Sequence, residues 1–210
     1  KAPRLVERLQ QGESIALVSD AGTPLLSDPG YRLVALAAAA GVEVVTVPGP
    51  SSITAALSIS GLPTDRFTFE GFLPSRHSAR LKSLERLRDE PRTLVFFESS
   101  HRIRGSLADL ADVFGARRPV AVCREMTKQF ETVLRGSLEE VADRVDSDPD
   151  QRKGEFVVVV GGNAEPTEDR MADAMVLAKA LLEFLPASQA ARVAARLHGV
   201  SRRELYSALG

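Results

Sequence analysis

Tryptophan is absent from this 210-residue sequence, cysteine occurs once, and aromatic residues make up only 5% of it. A lone cysteine excludes an internal disulfide, and Cys123 sits in the β-like run Val120 to Arg124, where a buried, inert thiol is expected rather than a nucleophile. No apolar run approaches the roughly twenty residues of a membrane span, and no signal-peptide pattern opens the chain, so the cytoplasm is the expected location. His77, His101 and His198 lack cysteine or carboxylate partners at ligand spacing, so no metal is expected. Neither the phosphate-cradling Gly-x-x-x-x-Gly-Lys-Ser/Thr loop nor Gly-x-Gly-x-x-Gly after a strand is present, and there is no Gly-x-Ser-x-Gly nucleophile elbow.

What is there describes an ordinary globular chain, 44% hydrophobic and 26% charged with a net charge of -1. The charge is unevenly spread. Arg76 to Arg104 holds eight Arg or Lys against four acids, Leu138 to Asp150 six acids against one Arg, and the last 25 residues four arginines against one Glu. Taken singly, such runs are ordinary solvated faces; the basic ones are also candidate phosphate contacts.

Periodicity predicts an opening helix with Leu5, Val6 and Leu9 on one face, a strand Ser14 to Val18, and a helix Tyr31 to Ala40 stopped by Gly41. A second strand, Val42 to Val47, leads through Pro48-Gly49-Pro50 to a helix opened by Ser51 and Ser52 and closed by Gly61-Leu62-Pro63. Two strand-turn-helix units in succession argue for a parallel sheet. Beyond a boundary near Thr64 come Phe67 to Phe69, a helix from His77 to Asp89, strands Thr93 to Phe97 and Val120 to Arg124 around a helix Ile103 to Phe114, and strands Glu131 to Arg135 and Phe156 to Val160 around a helix Leu138 to Val145. This unit reads as α/β with a mixed sheet. The tail reads as helices Ala172 to Leu185 and Ser188 to His198, the latter stopped by Gly199, then a third opened by a Ser201/Glu204 capping box, a helix-turn-helix-like arrangement. The expected division is 1–64, an α/β domain; 65–165, a second α/β domain; and 166–210, the helical tail.

Four stretches lie at predicted strand ends, where open α/β sheets keep their ligands: Asp20 to Pro29, Pro48 to Ser52, Phe97 to Arg102 and Arg124 to Glu131. The first holds enough Gly, Pro and Asp to fix a sharp backbone path, and the helix opening at Ser51 and Ser52 offers free N–H groups to a carboxylate, although both serines also read as simple N-caps. Together the motifs Asp-Ala-Gly-Thr-Pro-Leu-Leu-Ser-Asp-Pro-Gly, Val-Pro-Gly-Pro-Ser-Ser, Gly-Phe-Leu-Pro, Phe-Phe-Glu-Ser-Ser-His-Arg, Arg-Glu-Met-Thr-Lys-Gln-Phe-Glu and Gly-Glu-Phe-Val-Val-Val-Val-Gly resemble the tetrapyrrole-methylase superfamily of S-adenosylmethionine enzymes. The resemblance is nearest to its branch acting on small-subunit ribosomal RNA, and the tail is similar to that branch's own. Nothing in this sequence corresponds to the first strand and Thr-Pro-x-Gly-Asn loop with which the family begins.

The resemblance implies two α/β domains with S-adenosylmethionine folded in the cleft between them. Asp20, Gly22, Thr23, Pro24, Leu25, Ser51 and Ser52 would line one side, with Phe97, Glu155 and Phe156 on the other. It implies 2'-O-methylation of a cytidine ribose in the decoding region of 16S rRNA, the small ribosomal subunit as partner, and a homodimer. A ribose hydroxyl is a poor acid, so a group must take its proton or stabilise the alkoxide; Glu98, Lys128, Glu125 and His101 are the candidates. Arg76, Arg80, Arg102, Arg124, Arg192, Arg196, Arg202 and Arg203 are the candidate RNA contacts. Two alternatives stay open: a tetrapyrrole- or diphthamide-pathway methylase of the same fold, and a non-catalytic RNA-binding fragment.

Overall fold

The structure, a computed structural model, describes residues 1–20, 22–163, 167–198 and 200–209. It divides into two compact units, Lys1–Asn163 and Ala164–Gly210. The boundary expected near Thr64 lies within the first unit, whose five-stranded mixed sheet comprises β1 (Phe67–Phe72), β2 (Thr93–Ser99), β3 (Pro119–Arg124), β4 (Thr132–Ser137) and β5 (Glu155–Val160), in the order β1-β2-β5-β3-β4. Only β1 and β2 run parallel; β5 is antiparallel to both β2 and β3, and β4 to β3.

Helices cover both faces of this sheet. In β2, β3 and β5 nearly every residue is buried, as continuous apolar runs such as Phe156-Val-Val-Val-Val require. One face takes α4 (His77–Glu85), α5 (Ile103–Phe114) and α6 (Leu138–Ser147), with Leu84, Ile103, Leu107, Leu110, Val141 and Val145 packed on Leu94, Phe96, Val122, Phe156 and Val158. Each such fully buried side chain contributes roughly 1.5–3 kcal/mol. The other face takes α3 (Ser52–Ser60), whose Ile53, Ala56 and Leu57 lie on Val95, Ala121, Cys123, Val157 and Val159. Helix ends follow local chemistry. Ser137 and Glu140 form a reciprocal capping box at the start of α6, and Gly61, at φ +76°, ends α3 in the left-handed conformation that favours glycine.

The helices expected before the sheet form as α1 (Ala2–Gln10) and α2 (Tyr31–Ala39), packed on each other. The strands Ser14 to Val18 and Val42 to Val47 do not form. Their β-branched composition suits a strand, but a strand exists only as part of a ladder, and neither segment has a ladder partner among the described residues. Val18 and Val47 are accordingly 82% and 89% exposed. Among the described residues the parallel sheet expected from these two units is therefore absent, and the only parallel pair is β1 with β2.

The second unit consists of α7 (Thr167–Leu181), α8 (Ala187–His198) and α9 (Arg202–Ala208) around a small core of Ala174, Ala178, Ala194, Ala195 and Leu205. Ser201 caps α9 by accepting from the Glu204 N–H. Ser188, expected to cap the middle helix, lies one residue inside it, and the expected stop at Gly199 falls outside the described residues. No helix among the described residues is long and apolar enough to cross a membrane.

Candidate functional site

The Asp20–Pro29 and Pro48–Ser52 stretches meet, and the first also touches β1. Thr23 donates its hydroxyl to the Pro50 carbonyl at 3.1 Å, and a β-carbon on Gly22, at φ +85°, would stand 3.0 Å from that same oxygen. The loop thus reaches the Pro48–Ser52 turn by a close backbone approach that favours glycine. Leu25 and Ser27 also have positive φ, which L residues rarely adopt without compensating contacts. Ser27 in turn lies beside Gly71 of β1. At the head of α3, Ser51 occupies the N-cap position but its side chain makes no capping bond. The first-turn N–H groups of a nine-residue helix are thereby left to an anionic partner or to water.

The end of β2 divides its residues by face. Phe97 points to the α3 side, its ring edge-on to Phe69 at 4.8 Å and to Phe72 at 5.6 Å. Glu98 points the other way, beneath α5, with its side chain 1% exposed. One of its oxygens accepts from the Ser99 N–H and pairs with Arg102 at 2.8 Å; the other accepts from the Ser106 hydroxyl at 2.6 Å. Arg102 also donates to Ser99 Oγ and to the Leu73 carbonyl. His101 is exposed in the turn between them.

The loop 125–131, at the same end of the sheet as Ser99 through the Ser99–Glu155 pairing, forms a tightly tied cluster. Lys128 Nζ lies 2.9 Å from both Glu125 Oε1 and Glu155 Oε2, and Glu125 accepts from the Glu155 N–H as well. The Lys128 ammonium, then the Glu155 N–H, hold the Glu125 carboxyl below its usual range, and the same pairing, Glu125 first, raises Lys128. Glu125 and Thr127 have positive φ, and the Glu131 carboxylate caps the Thr127 N–H.

Several expected roles change on this geometry. Lys128 meets Glu125 and Glu155, not Glu98. Arg80 and Arg124 belong to no exposed basic face. Arg80 is buried in an ion pair with Asp109 at 2.6 Å, because it stands one helical turn before the buried Leu84. Arg124 is buried with its guanidinium on the carbonyls of Lys153 and Phe130. The Phe156 side chain lies in the core beneath α5, on one rung between Glu98 and Arg124, so only its backbone can face a ligand at the strand end. Arg76 is exposed, and so are Arg192 and Arg196 on α8 and Arg202 and Arg203 on α9. Sequence reading missed Ser106, Asp109, Gly154 and the Phe69-Phe72-Phe97 cluster. The spacing Glu98-x₃-Arg102-x₃-Ser106 is the one signal that pointed to the first of these.

Residues 1–142 match the family described as Tetrapyrrole (Corrin/Porphyrin) Methylases, and residues 168–209 match the RsmI C-terminal HTH domain. The chain belongs to the tetrapyrrole methylase family. It is an S-adenosylmethionine-dependent methyltransferase, and the glycine-tight approach of Gly22 to Pro50 beside an uncapped helix N-terminus fits a donor held largely by backbone groups. Among relatives, Ribosomal RNA small subunit methyltransferase I of Xylella fastidiosa (strain Temecula1 / ATCC 700964) is 53% identical over 205 residues, covering 98% of this chain and 75% of the relative. The protein of the same name from Pseudomonas aeruginosa is 48% identical, covering 97% and 73%. A solved methyltransferase, CobJ, shares the tetrapyrrole methylase fold at 20% identity, with a TM-score of 0.56 over 78% of this chain and 70% of that one. Among the described residues no cluster of His, Cys, Asp and Glu is suited to a metal.

Proposed function

We propose that this methyltransferase acts on small-subunit ribosomal RNA, methylating the 2'-OH of a cytidine ribose in the decoding region of 16S rRNA. The observation that carries the reading is the two-part match: a methylase unit followed by a helical unit, both shared along 98% of the chain with relatives named for small-subunit rRNA. The protein works in the cytoplasm, as a homodimer, with the small subunit or its RNA as partner.

When bound, S-adenosylmethionine supplies an already activated methyl group. The protein's part is therefore alignment and exclusion of water. Asp20, Gly22, Thr23, Pro24 and Leu25, with Ser51 and Ser52, hold the donor from the first segment, and Phe97 with the Glu155–Phe156 backbone holds it from the sheet. Lys128 is the group suited to the developing alkoxide. Its raised pKa keeps it protonated, and at 47% side-chain exposure it is open to a substrate. It stabilises the negative charge developing on the ribose oxygen, whose proton passes to solvent water. Glu125 and Glu155 hold it in place. Arg76 and the arginines of α8 and α9 supply phosphate contacts to RNA whose target nucleotide is splayed out.

The test is transfer of labelled methyl from S-adenosylmethionine to small subunits lacking the modification, followed by nuclease digestion and nucleoside mass spectrometry. Label in 2'-O-methylcytidine is expected. Label on a base, or transfer to a tetrapyrrole instead, overturns the reading.

A further inference from the structure

The Glu98 carboxylate is buried, ionically paired and fully engaged at the edge of the methyl-donor site, yet the donor chemistry does not call for it. We infer that Glu98 and Arg102 are a positioning pair that sets Phe72 and Phe97 as a wall of the S-adenosylmethionine site. The inference rests on the cofactor role given above to Phe97 and the 20–30 loop.

The linkage is continuous. Glu98 is fixed by the Ser99 N–H and the Ser106 hydroxyl, so its carboxylate has one orientation. It orients the Arg102 guanidinium, which reaches Ser99 Oγ at 3.1 Å and the Leu73 carbonyl at 2.9 Å and lies 5.7 Å from the centre of the Phe72 ring. Phe72 meets Phe97 edge-on, and Phe97 meets Phe69. One residue before Phe72, Gly71 lies against Ser27 of the strained loop that reaches Pro50. A single buried carboxylate thus fixes the backbone at Leu73, the ring at Phe72 and, through it, the ring at Phe97.

Stability alone is a poor account of this arrangement. A buried ion pair commonly contributes no more than apolar side chains of the same volume, and its better-attested use is to fix register. Only a planar fork can serve a carboxylate, a hydroxyl, a carbonyl and a ring face at once; a lysine at 102 keeps the charge but not the geometry. Phe72 is 51% exposed, so the ring that the pair steers is open to a ligand.

The experiment measures binding of S-adenosylhomocysteine, a stable product analogue, by calorimetry on the full chain, beside melting temperature and steady-state kinetics. Glu98→Gln and Arg102→Lys are each expected to weaken binding about tenfold, with kcat at saturating donor lowered less than threefold and the double variant weaker by less than the product of the two. Because those variants change a buried pair, Phe72→Ala, at a half-exposed ring, is the folding-independent arm and is expected to show the same loss of binding. Unchanged affinity in Phe72→Ala, or a lower melting temperature with unchanged affinity in the paired variants, overturns the inference. So does unchanged affinity with kcat down a hundredfold in Glu98→Gln, which would make Glu98 a base. The binding readout contains no RNA, so it is independent of whether the rRNA assignment holds.

Discussion

A β-carbon on Gly154 would overlap the Glu125 side chain, so the start of β5 and the loop after β3 can approach this closely only at a glycine. Gly154 also has φ +95°, where an L residue is strained whatever the space around it. Gly154→Ala is therefore expected to cost about 2 kcal/mol or more in urea unfolding, from overlap and backbone strain together. In the double variant with Glu125→Ala the overlap disappears and the strain remains. Its loss should be smaller than the sum of the two single losses.

The same carboxylate gives a pH dependence whose sign is fixed. Lys128, then the Glu155 N–H, lower the Glu125 pKa in the folded state. A carboxyl with a depressed folded pKa adds stability above its unfolded value, and that stability is lost as pH falls through the folded value. Lys128→Met removes the main cause. The unsubstituted protein is expected to be the more stable at pH 7, with the melting-temperature gap between the two closing as pH falls below about 4. A gap that widens in acid would show that Lys128 acts through other partners.

How far the sequence revealed this arrangement depends on what each signal measures. Helical periodicity placed α5 and its inward Leu107, Leu110 and Phe114 because a long amphipathic face reports packing directly. The segments 14–18 and 42–47 show the limit of composition: β-branched residues favour an extended chain, but pairing is a property of neighbours. At the candidate site, two of the four motif stretches follow the ends of β2 and β3 and two follow segments that form no strand, and the motifs left the facing of each residue unread. The alternation that buries Leu94 and Phe96 beneath α5 carries Glu98 with them, and so places an expected base on the buried side of β2. Arg80 reads as surface charge in the sequence because its partner, Asp109, lies on a different helix. Gly154 gave only the weak signal of a glycine before a strand.

Cys123 offers a check on the sheet's second face. It is fully buried between β3 and α3, and burial pushes its thiol up to about 11. At pH 8 the folded protein is expected to react with iodoacetamide roughly a hundredfold or more slower than the chain in urea, since both the thiolate fraction and access fall. Rapid labelling under native conditions would mean that α3 leaves the sheet readily.

The burial of Arg124 and the exposure of Arg202 and Arg203 make opposite predictions for RNA binding. An exposed arginine on a phosphate displaces counterions, and each such contact to single-stranded RNA contributes about 0.7 to the slope of log affinity against log salt. Replacing Arg202 and Arg203 by Gln is therefore expected to lower that slope by about 1.4 while leaving S-adenosylhomocysteine affinity as it was. Arg124→Lys, by contrast, breaks hydrogen bonds to the Lys153 and Phe130 carbonyls, which a lysine cannot serve together. It should lower the melting temperature and leave the salt slope unchanged. Filter binding to a 16S rRNA fragment at several salt concentrations separates the two. A slope unaffected by the double Gln variant would remove the helical unit from the RNA interface, and a slope reduced by Arg124→Lys would restore that residue to it.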